Sequence, residues 1–296
     1  MCTFAVRNYM IKINVRMKRF FMACLLGSVV GVAFGQQGGL MLRVATYNIR
    51  MDTKADSLNA WTYRKDDVKA LVRYHDIDIF GTQEGFLHQL QDICELPEYV
   101  YFGAGRDDGL SAGEHSAIFY KKDRFEVLES GNFWLSETPE TPGKGWDATC
   151  CNRICSWAKF KEKNTGKSFY FFSVHFDHQG KIARLESGKL MVKKMQEIVK
   201  NASVICVGDF NSTPETEQIQ LLSTYLNDAR IVTHSPPYGP EGTFNRRFAN
   251  PVGEARIDYI FVCNDVQVLK YASITDNNGK NYPSDHLPVI VDIVLR

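Results

Sequence analysis

The stretch 205-ICVGDFNSTPE-215 places an aspartate and an asparagine two residues apart, directly after a run of apolar residues. Such an apolar run predicts a buried strand. If the strand continues through residue 211, Asp209 and Asn211 project from one face, because positions two apart in a strand share a face. The carboxylate offers only acceptors, whereas the amide offers donors and an acceptor. The pair therefore suits a metal-bound phosphate better than a solvated loop, although two residues alone do not establish such a site.

Other polar residues stand at or near the ends of apolar, strand-like segments, or immediately before one. They are Asn48, Glu84, His175, Asp258, Asp285 and His286. A single aspartate in such a place is more often a turn residue or a helix cap, and His175 alone would more often be a core histidine. Coincidence would have to explain every segment, however, and a buried charge is costly unless it is paired or bound to a cation. The repeated placement predicts one shared polar centre.

The order of strand-like and helix-like segments predicts an α/β fold. Nine segments rich in β-branched and aromatic residues predict strands: 42–49, 77–84, 115–122, 125–135, 154–163, 168–176, 203–210, 256–263 and 289–295. Apolar residues at three- and four-residue spacing predict helices over 62–75 and 183–201, and Thr213-Pro214 signals the start of a third over 216–226. Several strands are apolar on both faces. The pattern favours two mixed sheets packed face to face with helices outside.

Composition and length favour one globular domain. The chain has 296 residues, of which 44% are hydrophobic and 12% aromatic, enough for a sizeable core. No linker or repeat divides residues 41–296, so a single catalytic domain is expected there. Two long loops, 136–150 and 234–254, are candidates for substrate selection. A monomer is expected.

The N-terminus reads as an export signal. The stretch 17-MKRFFMACLLGSVVGVAFGQ-36 has a basic pair, a short apolar run and small residues before Gln36. Residues 1–35 are therefore expected to be an N-terminal extension and a cleaved secretory signal peptide, with Met17 as the better start. The apolar run is short for a membrane span, so a retained anchor is the less favoured alternative. The mature protein is expected to be secreted or periplasmic, with no stable membrane span.

Charge and cysteines limit the possible functions. Removal of residues 1–35 takes away five of the 35 basic residues and none of the 34 acidic ones, which leaves a net charge of about −4. Such a surface offers no general field for capturing DNA.

The cluster 150-CCNRIC-155 fits no standard zinc spacing, and its disulfide pairing stays open.

Six motifs in order along the chain carry a resemblance to a known family. The series TYNIR, TQE, SVHFD, GDFNSTP, RIDYIF and SDHLPV is similar to that of the endonuclease/exonuclease/phosphatase family, which includes deoxyribonucleases, deadenylases, inositol polyphosphate phosphatases and sphingomyelinases. The similarity runs from about residue 42 to the C-terminus. It implies a four-layer α/β sandwich of the deoxyribonuclease type, in agreement with the two-sheet prediction.

The resemblance also implies a role for each matched residue. Glu84 would be the principal ligand of a divalent cation, assisted by Asn48 and Asp285. Asp209 would orient or deprotonate the attacking water, and Asn211 would hold that water or the phosphate. His286 and His175 would contact phosphate oxygens, and Asp258 would fix the His286 ring. The ligands are hard oxygens, which favours Mg²⁺ or Mn²⁺ over Zn²⁺.

Four further residues are weaker candidates for substrate binding. Arg153 could bind phosphate with two hydrogen bonds, and a solvated loop arginine is an equal alternative. Asp177, His178 and Arg184 flank the His175 segment and are expected to touch the substrate or to brace the pocket, with ordinary loop or helix-cap roles as the alternative.

Together these observations predict a secreted, Mg²⁺-dependent hydrolase that cleaves a phosphoester by direct attack of water. The bond could be a phosphodiester or a phosphomonoester, and the substrate could be a small molecule, a sugar or inositol phosphate, a lipid or a nucleic acid. The acidic mature charge slightly favours a small or carbohydrate-linked phosphoester. An extracellular endonuclease is the alternative. A non-catalytic protein that binds a phosphate ligand is a weaker rival, because it would be expected to have lost at least one of Glu84, Asp209, Asn211, Asp285 and His286, and all five are present.

Overall fold

The computed structural model describes residues 39–246, 248–249, 253 and 255–296, and the expected signal peptide lies outside them. These residues contain twelve strands: β1 (Leu40–Asn48), β2 (Ile79–Gln83), β3 (Tyr99–Phe102), β4 (Ile118–Lys121), β5 (Phe125–Trp134), β6 (Ile154–Glu162), β7 (Ser168–His175), β8 (Ser203–Asp209), β9 (Asn227–Asp228), β10 (Asp258–Val262), β11 (Val266–Ser273) and β12 (Val289–Leu295). They also contain a 3₁₀ helix (Lys54–Asn59) and the helices α1 (Trp61–Tyr74), α2 (Leu87–Ile93), α3 (Lys181–Ile198), α4 (Glu217–Tyr225) and α5 (Ala229–Val232).

The strands form two mixed sheets of six. One has the order β11-β12-β1-β2-β4-β3 and the other β5-β6-β7-β8-β10-β9. Each sheet contains one parallel pair at its centre, β1 with β2 and β7 with β8, and its other pairs are antiparallel. The predicted fold is therefore confirmed: two mixed sheets lie face to face, with helices outside.

Strand periodicity explains the four layers. In β7, Phe169 and Phe171 point into the core between the sheets, whereas Tyr170 and Phe172 point to the outer core under α3 and α4. Residues of β1, β2 and β4 alternate in the same way between the inner core and a second outer core under α1 and α2. Because both faces are buried, these strands are apolar throughout, which is the pattern seen in the sequence.

Three strands and three helical segments were not predicted. They are β3, β9, β11, α2, α5 and the 3₁₀ helix, and all are short except β11, whose register shifts between Val268 and Lys270. The bulge interrupts the alternation by which a strand is recognised. The two long predicted loops lack helices and strands in their described residues. None of the helices in the described part of the chain has the length and apolar character needed to cross a membrane.

Candidate active site

The strand ends bring the predicted site residues to one edge of the sandwich. Asn48 ends β1, His175 ends β7 and Asp209 ends β8. Asp209 pairs with His175 on the parallel neighbour and with Asp258, which begins the antiparallel β10. Glu84 follows the end of β2. By strand alternation, the four residues in strands lie on the inner faces of the two sheets, so their side chains converge between the sheets.

Asp209 is the hub of this cluster. Its Oδ2 accepts a hydrogen bond from Asn48 Nδ2 at 3.0 Å and lies 3.4 Å from His175 Nε2 and 3.8 Å from His286 Nε2. Two groups of possible metal-binding side chains, Glu84 with His175 and Asp209, and Asp258 with Asp209 and His286, each have their ligand atoms within 4.8 Å. Segments as distant in sequence as residues 48 and 286 therefore meet around one carboxylate.

The expectation that Asp209 and Asn211 extend from one continuous strand is wrong. The strand ends at Asp209, and Asn211 has a φ of 45°, in the left-handed region. Its backbone N–H turns back to donate to Asp209 Oδ1 at 2.9 Å, and its Nδ2 donates to the carbonyl of Phe176 and lies 3.1 Å from His175 Nε2. The turn still brings both side chains to the cluster, because asparagine tolerates this backbone conformation.

His286 is held by a chain of hydrogen-bonding groups. Its Nδ1 lies 2.9 Å from Asp258 Oδ2, and the same oxygen accepts a hydrogen bond of 2.6 Å from Thr243 Oγ1. Thr243 Oγ1 in turn accepts from the backbone N–H groups of Ile257 and Asp258. This chain fixes the His286 ring with Nε2 directed toward Asp209.

The two histidines differ in charge. Burial alone would lower the pKa of His286, but the carboxylates of Asp258 and Asp209 outweigh it and raise that pKa well above 6.5. Burial and the positive charges of Arg153 and Arg106 lower the pKa of His175 well below 6.5. At neutral pH, one ring is therefore a cationic donor and the other is neutral. Burial and the charge of Asp258 also raise the pKa of Asp209 to about 7, where a carboxylate is a better base.

The residues predicted to bind a cation lie together and fit one chemically. Glu84 Oε1 accepts from Asn48 Nδ2 at 3.1 Å, and Arg50 lies 3.6 Å from Glu84 and 3.9 Å from Asp285. Asp285 Oδ1 is buried and has no hydrogen-bond partner among the described residues. Burial also raises the pKa of Asp285, with the charge of Glu84 adding to the rise. A buried carboxylate oxygen without a hydrogen-bond partner, close to a second carboxylate, suits a hard divalent cation.

A cleft of about 580 Å³ opens beside this cluster. Arg153 and His178 line it, whereas Asp177 and Arg184 are not among its lining residues. Asp177 accepts from the backbone N–H groups of Gln179 and Gly180 and lies 3.4 Å from Arg153 Nε, and Arg184 donates to its carbonyl. These two residues brace the loop.

Several residues of the site received no role in the sequence analysis. Arg50 follows the TYN segment, Thr243 lies in the predicted substrate-selection loop, and Arg106 and Glu114 line the cleft from the loop before β4. Cys150 and Cys151 are bonded to each other and line the same cleft. The long loop 234–254 was the available signal for Thr243. The loop containing Arg106 and Glu114 carried no motif.

Comparison with known proteins agrees with the two-sheet fold. The sequence model of the endonuclease/exonuclease/phosphatase family matches residues 45–286. A crystal structure of a family protein from Bacteroides thetaiotaomicron is 45% identical, with 87% of this chain and 99% of that chain covered and a TM-score of 0.83. The structure of mannosyl-6-phosphatase from the same organism is 46% identical, with 86% and 99% covered and a TM-score of 0.82.

A more distant relative is a protein of Acanthamoeba polyphaga mimivirus, 27% identical, with 81% of this chain and 94% of that protein covered. The family model, the two solved structures and the two-sheet fold agree. The chain belongs to the endonuclease/exonuclease/phosphatase family of hydrolases that act on phosphoester bonds.

Proposed function

We propose that the protein is an exported, divalent-metal-dependent phosphomonoesterase that hydrolyses a carbohydrate-linked phosphate. The observation that carries the proposal is the convergence of Glu84, His175, Asp258 and His286 on Asp209 at one end of the two sheets. These groups supply a base, a cationic donor and ligands for a metal, which are the parts that direct attack of water on phosphorus requires.

Each side chain has a task in this reaction. Asp209 accepts the proton of the attacking water, for which its raised pKa is suited. The protonated His286 donates from Nε2 to a phosphoryl oxygen as negative charge develops, and Asp258 keeps the ring charged and oriented. Asn211 and the neutral His175, whose nitrogens lie 3.1 Å apart, orient the phosphoryl group. The new bond joins water oxygen to phosphorus, and the bond to the alcohol oxygen breaks. The departing oxygen takes up a proton from solvent, and Asp209 releases to solvent the proton that it accepted.

A divalent cation fits beside Glu84 and Asp285, with Asn48 next to them. Mg²⁺ or Mn²⁺ bound there would polarise the phosphoryl oxygen and neutralise charge on the leaving oxygen. We further propose that residues 1–35 direct export and that the mature protein works as a monomer.

The substrate class is inferred from the mannosyl-6-phosphatase. This chain is 46% identical to that enzyme, which is substantial for two proteins that match over nearly the whole of the known one. The acidic balance of residues 36–296, with 30 basic and 34 acidic side chains, also disfavours long nucleic acid as a substrate. A nuclease is the second candidate, because the same centre serves diesters and monoesters.

A substrate panel with controlled metal tests the proposal. Purified protein is incubated with mannose 6-phosphate, bis-p-nitrophenyl phosphate, plasmid DNA and RNA, with Mg²⁺ or with EDTA. The proposal expects phosphate release from mannose 6-phosphate that needs Mg²⁺, and much slower cleavage of the diesters. Preferred cleavage of plasmid DNA or RNA would favour the nuclease, and mannose 6-phosphate binding without turnover would favour the non-catalytic rival.

A further inference from the structure

One wall of the cleft carries charged side chains to which the proposed mechanism assigns no contact with the substrate. Arg106, Glu114, Arg153 and His178 line it, beside His175. Arg106 Nη1 lies 2.6 Å from Glu114 Oε2, and Arg153 Nη2 lies 2.7 Å from His178 Nδ1. Glu114 and Arg153 are 93% and 95% buried, respectively, since their exposed fractions are 7% and 5%. These two side chains are therefore largely enclosed by the cleft wall.

The charges on this wall are already matched. Glu114 forms an ion pair with Arg106, and Asp177 Oδ2 lies 3.4 Å from Arg153 Nε. A second phosphate would need positive charge that is free of carboxylate partners. A neutral alcohol bearing hydroxyl groups does not need it, because each hydroxyl donates one hydrogen bond and accepts others. Paired arginine and carboxylate groups supply both kinds of partner side by side.

Two donors on this wall have no hydrogen-bond partner within the described residues. They are Arg153 Nη1 and Arg106 Nε, both buried. Both residues, together with Glu114 and His175, also line a recess of about 10 Å³ that adjoins the cleft. A recess of this size admits about one oxygen atom and excludes a phosphate. An unsatisfied buried donor is costly, so these two guanidinium groups favour a polar atom bound at this wall.

We propose that this wall is the subsite for the departing alcohol, in which Glu114, Arg106 and Arg153 bind hydroxyl groups of a sugar and so select sugar phosphates over phosphomonoesters of plain alcohols. The inference rests on the proposed phosphomonoesterase activity and adds the residues that set its specificity. A sugar hydroxyl donates to Glu114 and accepts from a guanidinium N–H group. The phosphoryl group remains with Asp209, His286 and the metal ligands.

The test compares two esters that differ in their hydroxyl groups. Mannose 6-phosphate and cyclohexylmethyl phosphate both have a phosphate on a CH₂ group attached to a six-membered ring, but the second has no hydroxyls. The wild-type protein is expected to have a kcat/KM at least about tenfold higher for mannose 6-phosphate, since a hydrogen bond to a charged group is worth about that factor or more. Equal values for the two esters would overturn the inference while leaving the proposed function intact.

A matched pair of variants locates the effect. Glu114→Gln keeps the shape of the side chain but removes its charge, and is expected to lower kcat/KM about tenfold more for mannose 6-phosphate than for cyclohexylmethyl phosphate. Glu126→Gln makes the same change at an exposed position of β5 and is expected to alter neither. Equal losses on both esters in Glu114→Gln would also overturn the inference.

Thermal unfolding of each variant shows whether it is folded. If Glu114→Gln does not fold, the inference is tested by the two kcat/KM values of the wild-type protein, one for each ester. Wild-type protein that releases phosphate from neither ester would instead refute the proposed function, and the inference with it.

Discussion

Replacement of Asp258 by asparagine removes the charge that keeps His286 protonated. The substitution retains the size of the side chain and an oxygen that can accept from Thr243 Oγ1, which now lies 2.6 Å from Asp258 Oδ2. What is lost is the negative charge 2.9 Å from His286 Nδ1. The experiment therefore tests the charge of Asp258 separately from its role in orienting the His286 ring.

The size of the effect follows from that contact. Opposite charges with centres about 4 Å apart attract by about 4 kcal/mol at an effective dielectric constant of about 20. This corresponds to about three pKa units. Burial already disfavours the charged ring, so without Asp258 the pKa of His286 is expected to fall from well above 6.5 toward or below neutrality. Because His286 then loses its proton, kcat at pH 8 is expected to fall about a hundredfold or more.

The assay is the pH dependence of kcat for phosphate release from mannose 6-phosphate. In the wild-type protein, activity persists until pH rises through the high pKa of His286. In Asp258→Asn the alkaline limb is expected to move to lower pH, so that the loss is smaller at acidic than at alkaline pH. Asp123→Asn, at an exposed turn residue, is the control. A wild-type pH profile and kcat in Asp258→Asn would refute the role assigned to this pair.

Three stability predictions follow from contacts around the site, each measured by urea unfolding. Thr243→Val is expected to lower the free energy of unfolding by about 1–3 kcal/mol, because Asp258 loses a buried hydroxyl partner, and Thr243→Ser is expected to restore most of it. Gly81→Ala is expected to lower the free energy of unfolding by about 1–3 kcal/mol, since a Cβ atom there would lie 2.6 Å from Ser173 Oγ on the facing sheet. Arg64→Met is expected to lower the free energy of unfolding by about 3 kcal/mol. The buried guanidinium of Arg64 donates to the backbone carbonyl groups of Ile49, Arg50 and Pro283, and the variant leaves these without that partner. Wild-type stability in any of these variants would contradict the contact concerned.

The sequence was sufficient to predict most strands of the two sheets and most residues of the cluster around Asp209. Apolar runs such as Phe169–Phe172 are buried on both faces, so their composition alone indicates strands inside a layered fold. Site residues such as His175 and Asp209 end those strands, and their order along the chain matches one family. Polar residues at the ends of buried strands could therefore be grouped before any contact was known.

Contacts set by tertiary structure could not be predicted in this way. The strand β11 loses its alternation at the bulge between Val268 and Lys270, and only pairing with β12 identifies it. Asn211 leaves the strand because its own backbone N–H bonds to Asp209, a local competition that the apolar pattern does not reveal. Arg106 and Glu114 lie in a loop, and their place in the cleft depends on how that loop packs.

Titration with Mn²⁺, followed by electron paramagnetic resonance, tests most directly whether the separate strand ends build one cation site. The wild-type protein is expected to bind one ion per chain tightly. Glu84→Gln and Asp285→Asn are each expected to weaken the binding of that same ion about tenfold or more. Wild-type affinity for Mn²⁺ in either variant would contradict a shared cation site. So would two ions bound by the wild-type protein, with one lost in Glu84→Gln and the other lost in Asp285→Asn.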